Sequence, residues 1–338
     1  MFTLGNTRFG AAMRCRSLTW SLTAAVALLA APLLQAAESG KAGIDSPVSI
    51  IVGYPAGGAS DRAARLLADA LNAKLGVPVI VENKPGAGGR VAAQQFKSTP
   101  VDKNALILAN PAVMVVAPLV FKDVGYDVDK DFIPVSHLTN YDFAVAVAPT
   151  LPVTDLQGLM TWLKDNPQQA NVGVPATGSL PHFFALMLGD KAGVQSEVIG
   201  YNGSAPLTSD LLGGQIPVAV DTEDALLPQF LGGKLRILAT SGNARSVWAE
   251  QVPSFKEAGL ELEASGWNTL YAPASTPTAR IEALAQAVHE VMQEPALRQR
   301  FIDSKITPVG STQAQTRETL AAFEQQWAPV VKNSGYQP

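Results

Sequence analysis

The chain has one cysteine and three histidines in 338 residues. Cys15 lies ahead of an apolar run, so the sequence beyond it can form no disulfide, thiol nucleophile or thiolate metal site. His137, His182 and His289 are far apart, and no H-E-x-x-H zinc helix is present. There is also no G-x-x-x-x-G-K-[ST] phosphate loop and no G-x-S-x-G nucleophile elbow. "PGAGGR" (85–90) has Gly86 and Gly88 in the spacing of a dinucleotide fingerprint, but Val91 stands where a third glycine or alanine is needed. These absences predict no cofactor and no metal. Charge is sparse, at 16% of residues. Residues 1–37 carry three of the 25 basic residues and none of the 29 acidic ones, so the remainder has a net charge of −7. Such a surface argues against nucleic acid as a partner. It also means that an anionic ligand must be won locally, not by overall charge.

At 47% hydrophobic residues, the chain suits one large or two medium domains with real cores. Arg14 and Arg16 precede Ala24–Leu34, which holds no polar residue, and Ala36 and Ala37 follow. This is the plan of a secretory signal peptide over 1–37, which predicts an exported, periplasmic protein. The run is short for a membrane anchor, which needs about 20 residues. "ALILANPAVMVVAPLVF" (105–121) is apolar enough to suggest a span. Asn110, Pro111 and Pro118 interrupt it, so a buried strand, a turn and a core helix fit better.

Short β-rich runs alternate with amphipathic stretches. "VSIIVGY" (48–54), "VPVIVEN" (77–83) and "NALILAN" (104–110) read as strands. Between them, Ala63, Leu66, Leu67, Ala70 and Leu71 form one helical stripe, ended by Gly76 and Pro78. The order predicts a parallel sheet with helical crossovers. The pattern resumes with strands at 143–149, 170–176, 196–201, 216–222 and 235–241. Helices are expected over 155–167, 177–189 and 202–214, the first capped by Thr154 or Asp155. An extended segment (265–274) and a helix (278–293) follow. The fold class is therefore α/β, with two lobes that are each a sheet flanked by helices. Lobe 1 takes 38–142 plus 267–338 and lobe 2 takes 143–266, joined by crossing segments near Tyr141–Phe143 and Gly266–Leu270.

Turns rich in Gly, Ser and Thr open several helices: Ala56–Asp61, Gly86–Gly89, Thr177–Pro181 and Asn202–Pro206. The first N–H groups of a helix have no partner within it and lie at the positive end of its dipole, which suits an anion. Glycines let a ligand approach the backbone. Hydrogen bonds to a charged group contribute about 1.5–3 kcal/mol each, so three or four reach micromolar affinity after ordering costs. Ordinary capping explains any one such turn, and Thr177 or Ser179 can cap its helix while Pro181 suits the first turn. The recurrence in both lobes points to a ligand. Candidate ligand-binding residues are Tyr54, Pro55, Ala56, Gly57, Gly58, Ser60 and Asp61 in one lobe. In the other they are Ala176, Thr177, Gly178, Ser179, His182, Asn202 and Asp221. Asp61 serves either the helix dipole or a ligand donor. His182 serves either the cleft or the core, and Asp221 selects a ligand that brings a donor. No nucleophile–base pair is evident, so an enzyme is not expected.

Long, ordered segments resemble the substrate-binding proteins of tripartite tricarboxylate transporters, the TctC or Bug family. They include "YPAGGASDRAARLLADAL" (54–71), "VPVIVENKPGAGGRVAA" (77–93), "YDVDKDFIPVSHL" (126–138), "ATGSLPHF" (176–183) and "GYNGSAPLTSDLLGGQIPVAVD" (200–221). The resemblance implies a type II-like periplasmic binding protein that closes over a small carboxylate. It implies that backbone groups and ordered waters of Tyr54–Asp61 and of Ala176–Ser179 with His182 hold that group. It further implies a monomer that delivers its ligand to the transporter's membrane subunits. The chain departs from the family pattern at Pro175 and at Asn202, where lysine is usual. The loss of that lysine disfavours a highly charged tricarboxylate; dicarboxylates, monocarboxylates, aromatic acids and amino acids stay open. A secreted two-domain α/β enzyme on an anionic substrate and a signalling-only receptor are the alternatives.

Overall fold

The computed structural model describes residues 44–337. The expected signal peptide, with Cys15, lies outside the described residues. The first motif behaves as its pattern dictates. β1 (Val48–Val52) is buried and pairs in parallel with β2 (Val79–Asn83) and β3 (Asn104–Ala109). The connecting helix, α1 (Ala59–Leu75), buries Ala63, Ala64, Leu67, Ala68 and Leu71. Gly76 ends it in the left-handed conformation, with φ 70°. α2 (Arg90–Phe96) returns the chain to β3. The apolar segment 105–121 continues from β3 into short helical turns, Ala112–Val116 and Ala117–Val120. Among the described residues no helix is long and apolar enough to cross a membrane.

The expected strand at 143–149 is the second half of a longer one, β4 (Phe132–Val147). Its first half was hidden by a proline and by polar residues that turn out to be buried and bonded. Ser136 Oγ donates to Ser311 O at 2.8 Å, and the His137 N–H reaches Thr316 Oγ1 at 3.0 Å. Pro134 sits where the register shifts, a place that tolerates a missing N–H. The remaining elements are α3 (Leu156–Asp165), β5 (Asn171–Val174), α4 (Leu180–Ala192), β6 (Glu197–Gly200), α5 (Ser204–Leu212), β7 (Val218–Thr222), α6 (Glu223–Leu231), β8 (Arg236–Thr240), β9 (Ser265–Pro273), α7 (Thr278–Gln293), α8 (Pro295–Asp303), β10 (Thr307–Pro308) and α9 (Gln313–Asn333). Asp155 is the cap of α3, accepting the Gly158 N–H at 2.7 Å. α6, α8 and α9 were not expected from the sequence pattern. Pro228 and Pro329 lie inside two of them and break the apolar period.

Among the described residues all ten strands form one sheet in the order β2-β1-β3-β9-β4-β7-β5-β6, with β8 and β10 also on β4. It is mixed as a whole: the parallel pairing expected for 48–110 holds within β1–β3, whereas β9 runs against both β3 and β4, and β7 and β8 run against β4. α1, α7 and α8 pack on one face of the β1–β3 side around Ile50, Leu106, Leu284 and Phe301. The other face continues into the core of the β5–β7 side, with Trp267, Phe323 and Trp327 among its largest members.

β4 and β9 carry the passage between the two sides. Up to Asp142, β4 pairs with β9; from Phe143 it pairs with β7. Because β7 runs antiparallel to β4, its carboxyl end at Thr222 lies opposite Phe143. β3 runs along β4's own direction, so its carboxyl end approaches the same level from the other side. The loops after both sets of parallel strands therefore meet near residues 141–143. At that level a Cβ on Gly266 would collide with the Tyr141 ring, itself packed edge-on to Phe143 at 5.9 Å. Gly266→Val is expected to cost about 1–3 kcal/mol through overpacking. Urea unfolding measures this, and a loss below about 0.5 kcal/mol would show that the ring moves freely.

Candidate functional site

The first loop leaves β1 at Tyr54 and enters α1 at Ala59. Pro55 to Gly58 are exposed. Gly57 has φ 90°, a conformation that only glycine adopts without strain. Gly58 is the N-cap of α1 and offers no side chain to the first-turn N–H groups. Such donors suit an anion, the chemistry expected of this turn.

Around these donors, side chains hold the loop in shape. Asp61 is 2% exposed and turned inward. Its oxygens accept from Gly57 N–H at 2.8 Å, Arg65 Nε at 3.0 Å and Asn83 Nδ2 at 2.9 Å. Burial acts to raise its pKa, but the Arg65, Gly57 and Asn83 bonds outweigh it and hold the carboxyl below its ordinary range. In this structure the Asp61 carboxylate is occupied by its own loop, Arg65 and Asn83. Asn83 Nδ2 also lies 3.1 Å from Tyr54 O. Tyr54 Oη accepts from Asn110 Nδ2 at 2.8 Å and donates to Gly88 O at 3.1 Å. Desolvation pushes this phenol up to about 12, so it stays neutral. Ser60 Oγ donates to Asn268 Oδ1 at 2.8 Å, tying α1's first turn to β9.

The second loop, Ala176 to Ser179, joins β5 to α4. Here ordinary capping is realised. Ser179 is the N-cap, its Oγ 3.4 Å from the His182 N–H and 2.7 Å from Ala176 O. Pro181 occupies the first turn. Gly178, with φ 73°, donates its N–H to His182 Nδ1 at 2.9 Å, which leaves the His182 proton on Nε2. The ring is 6% exposed, stacked on Phe183 and met edge-on by Tyr336 at 4.8 Å. Burial lowers its pKa. A hydrolytic reading needs a histidine bonded to a serine and an acid; Nδ1 instead serves the loop. Thr177 is exposed beside it.

A third loop lies alongside. Gly203 N–H bonds Pro175 O at 2.8 Å and Gly203 caps α5 without a side chain. Asn202 is exposed next to it. Asp221, at the end of β7, is 1% exposed. Its Oδ1 accepts the Thr222 N–H at 2.7 Å, and Oδ2 has no partner. Desolvation pushes it up to about 7. Glu223 and Asp224 follow in α6's first turn, each with one buried, unpartnered oxygen. Unlike Asp221, Glu223 and Asp224 were not singled out in the sequence. Neither were Asn83, Asn110, Arg65 and Arg62, whose partners are brought near only by the sheet order.

The structure thus gathers the predicted residues into two loop clusters at facing strand ends. Asp61 and His182 hold the first and second loops from behind, Ser60 ties α1 to β9 and Asp221 lies buried at the end of β7, while Pro55–Gly58, Thr177 and Asn202 are the open parts of the loops. The profile of the tripartite tricarboxylate transporter family receptor matches residues 63–336. The chain belongs to this family. A UPF0065 protein of Bordetella bronchiseptica is 33% identical, the match covering 92% of this chain and 91% of that protein. Among solved structures, Rpa4515 of R. palustris with adipate has a TM-score of 0.81 at 28% identity, covering 87% of this chain and 99% of that one. MatC of Rhodopseudomonas palustris with bound malate has a TM-score of 0.74 at 26% identity, covering 86% and 99%.

Two predictions follow from the carboxylates. Asp61 has a depressed pKa, so its contribution is present above the unfolded value near 4 and is lost as pH falls through the folded one. Asp61→Ala should cost about 1.5–3 kcal/mol at pH 7 and progressively less in acid; a pH-independent loss in urea melts would refute this. Asp221 has a raised pKa, so the folded protein loses stability as pH rises from about 4 to about 7. Asp221→Asn should remove that decline, gaining on the parent by a few kcal/mol between pH 5 and pH 8. Parallel melting curves at the two pH values would contradict it.

Proposed function

We propose that the protein is a periplasmic receptor that captures a small organic carboxylate between two lobes and delivers it to the membrane subunits of a tripartite tricarboxylate transporter. The observation that carries this reading is the pair of glycine-capped helix starts, at Gly58 and Gly203, on facing sides of one sheet in a receptor-family chain. Their open N–H groups would hold the carboxylate, with Tyr54 as an aromatic wall. The lobes are those of the sequence reading, 38–142 plus 267–338 and 143–266, and they would close about the β4–β9 crossing. Export through a signal peptide over 1–37 accords with the family. The adipate and malate of the neighbours favour a dicarboxylate, as does asparagine in place of lysine at 202.

A thermal-shift series with adipate, malate and citrate tests the reading. Ligand at 100 times its Kd adds about 2.7 kcal/mol of stability. The expected outcome is a clear rise in Tm with one dicarboxylate and a smaller one with citrate. Gly58 has φ −73°, and a Cβ there would meet only Pro55 O, at 3.8 Å. Gly58→Leu should therefore melt like the parent without ligand and lose the ligand-induced rise. An unchanged rise would move the carboxylate off this loop.

A further inference from the structure

The Arg62 guanidinium spans the two sides of the molecule. Nη1 donates to Gly57 O at 2.9 Å, inside the first loop, and Nη2 to Asp224 Oδ2 at 3.0 Å, in the first turn of α6. Arg62 is 39% exposed and Asp224 10%. No other cation is ion-paired to the acidic edge at 221–224 among the described residues. Asp224 also lines a small cavity at the crossing, together with Ala59, Tyr141, Asp142, Glu223 and Asn268. One residue therefore fixes a carbonyl of the ligand loop and grips the opposite side.

We infer that Arg62 is a positioning residue: with Asp224 it clasps the two sides together and presents the first loop's backbone donors to the ligand. This rests on the closing-receptor reading above. The geometry gives the clasp two effects. It favours the closed arrangement before ligand arrives, reducing the conformational cost of binding. It also neutralises Asp224, which would otherwise face an incoming anion. Asp61, Arg65 and Asn83 hold the same loop from its own side. Arg62 is the member of the set that reaches across.

The test uses spin-label distances in the full chain. Cys15 is the only cysteine, so Cys15→Ser permits labelling at Asn72→Cys on α1 and Lys191→Cys on α4, both exposed positions. In the ligand-free protein, Arg62→Ala and Asp224→Asn should each move population to longer distances, and the double variant should move no further than either one. For the carboxylate that raises the parent's Tm, each single change should weaken binding about three- to tenfold. Charge repulsion without a clasp predicts a different pattern, in which Arg62→Ala weakens binding and Asp224→Asn tightens it. That pattern, or variant distances equal to the parent's, overturns the clasp. If adipate or malate shortens the parent's distances while both variants match the parent without ligand, closure stands and only the clasp fails. If no ligand and no variant changes the distances, the closing reading fails and takes the clasp with it.

Discussion

The antiparallel ladder between β4 and β9 is the constraint on which the rest of the structure depends. It joins two sets of parallel strands that run in opposite senses along β4. Loops that bind ligands in α/β sheets lie at the carboxyl ends of strands. In a single parallel sheet those ends share one edge. Here three successive reversals, from β3 to β9, from β9 to β4 and from β4 to β7, turn the two sets of ends toward each other, at the level of Tyr141–Phe143. The place of the candidate site is thus a consequence of strand polarity, settled before any loop residue is chosen. Gly266 marks the point physically, since only a residue without a side chain leaves room for the Tyr141 ring.

Polarity delivers helix starts, and the choice of cap decides what each start can do. Ser179 spends its hydroxyl on α4, whereas Gly58 and Gly203 leave the first turns of α1 and α5 without a side-chain cap. Uncapped turns cost stability in an isolated helix. They are tolerable here because each helix is carried by its packed face, such as Leu67 and Leu71 of α1. The surrounding carboxylates follow the same division. Asp61 is ionised and saturated with donors, so it shapes the loop without presenting charge. Asp221 and Glu223 each keep one buried oxygen without a partner, and burial outweighs their hydrogen bonds and drives them toward the neutral form. Acid groups therefore border an anion-directed backbone without cancelling it.

Much of this was legible in the sequence, and the limits were physical. The stripe from Ala63 to Leu71 and the αL glycine at 76 announce α1 because both signals are local. The same holds for the glycine turns, whose open backbone needs no partner to be recognised. The first half of β4 was missed because buried polar residues such as Ser136 and Thr139 look like surface until their partners, Ser311 and Asn268, are known. The roles of Asp61 and His182 were left between two readings for a related reason. Whether a polar side chain faces a ligand or its own loop depends on acceptors and donors that the fold supplies. Asn83 and Arg62 were overlooked because their partners lie 22 and 162 residues away.

Recognition through main-chain donors separates binding class from ligand identity. A backbone N–H at a glycine-capped helix start persists through most side-chain changes, provided that the glycines and the packing behind them stay. Receptors at 26–33% identity can then share a carboxylate-directed loop while differing at nearly every side chain around it. On the proposed reading, which acid fits is left to the rim, Tyr54, Thr177 and Asn202, and to how firmly the two sides are held together. On that argument, a residue such as Arg62, which touches the loop's carbonyl and the far side at once, tunes affinity for every ligand alike. On the proposed reading, discrimination among ligands falls instead to Asn202 and Thr177.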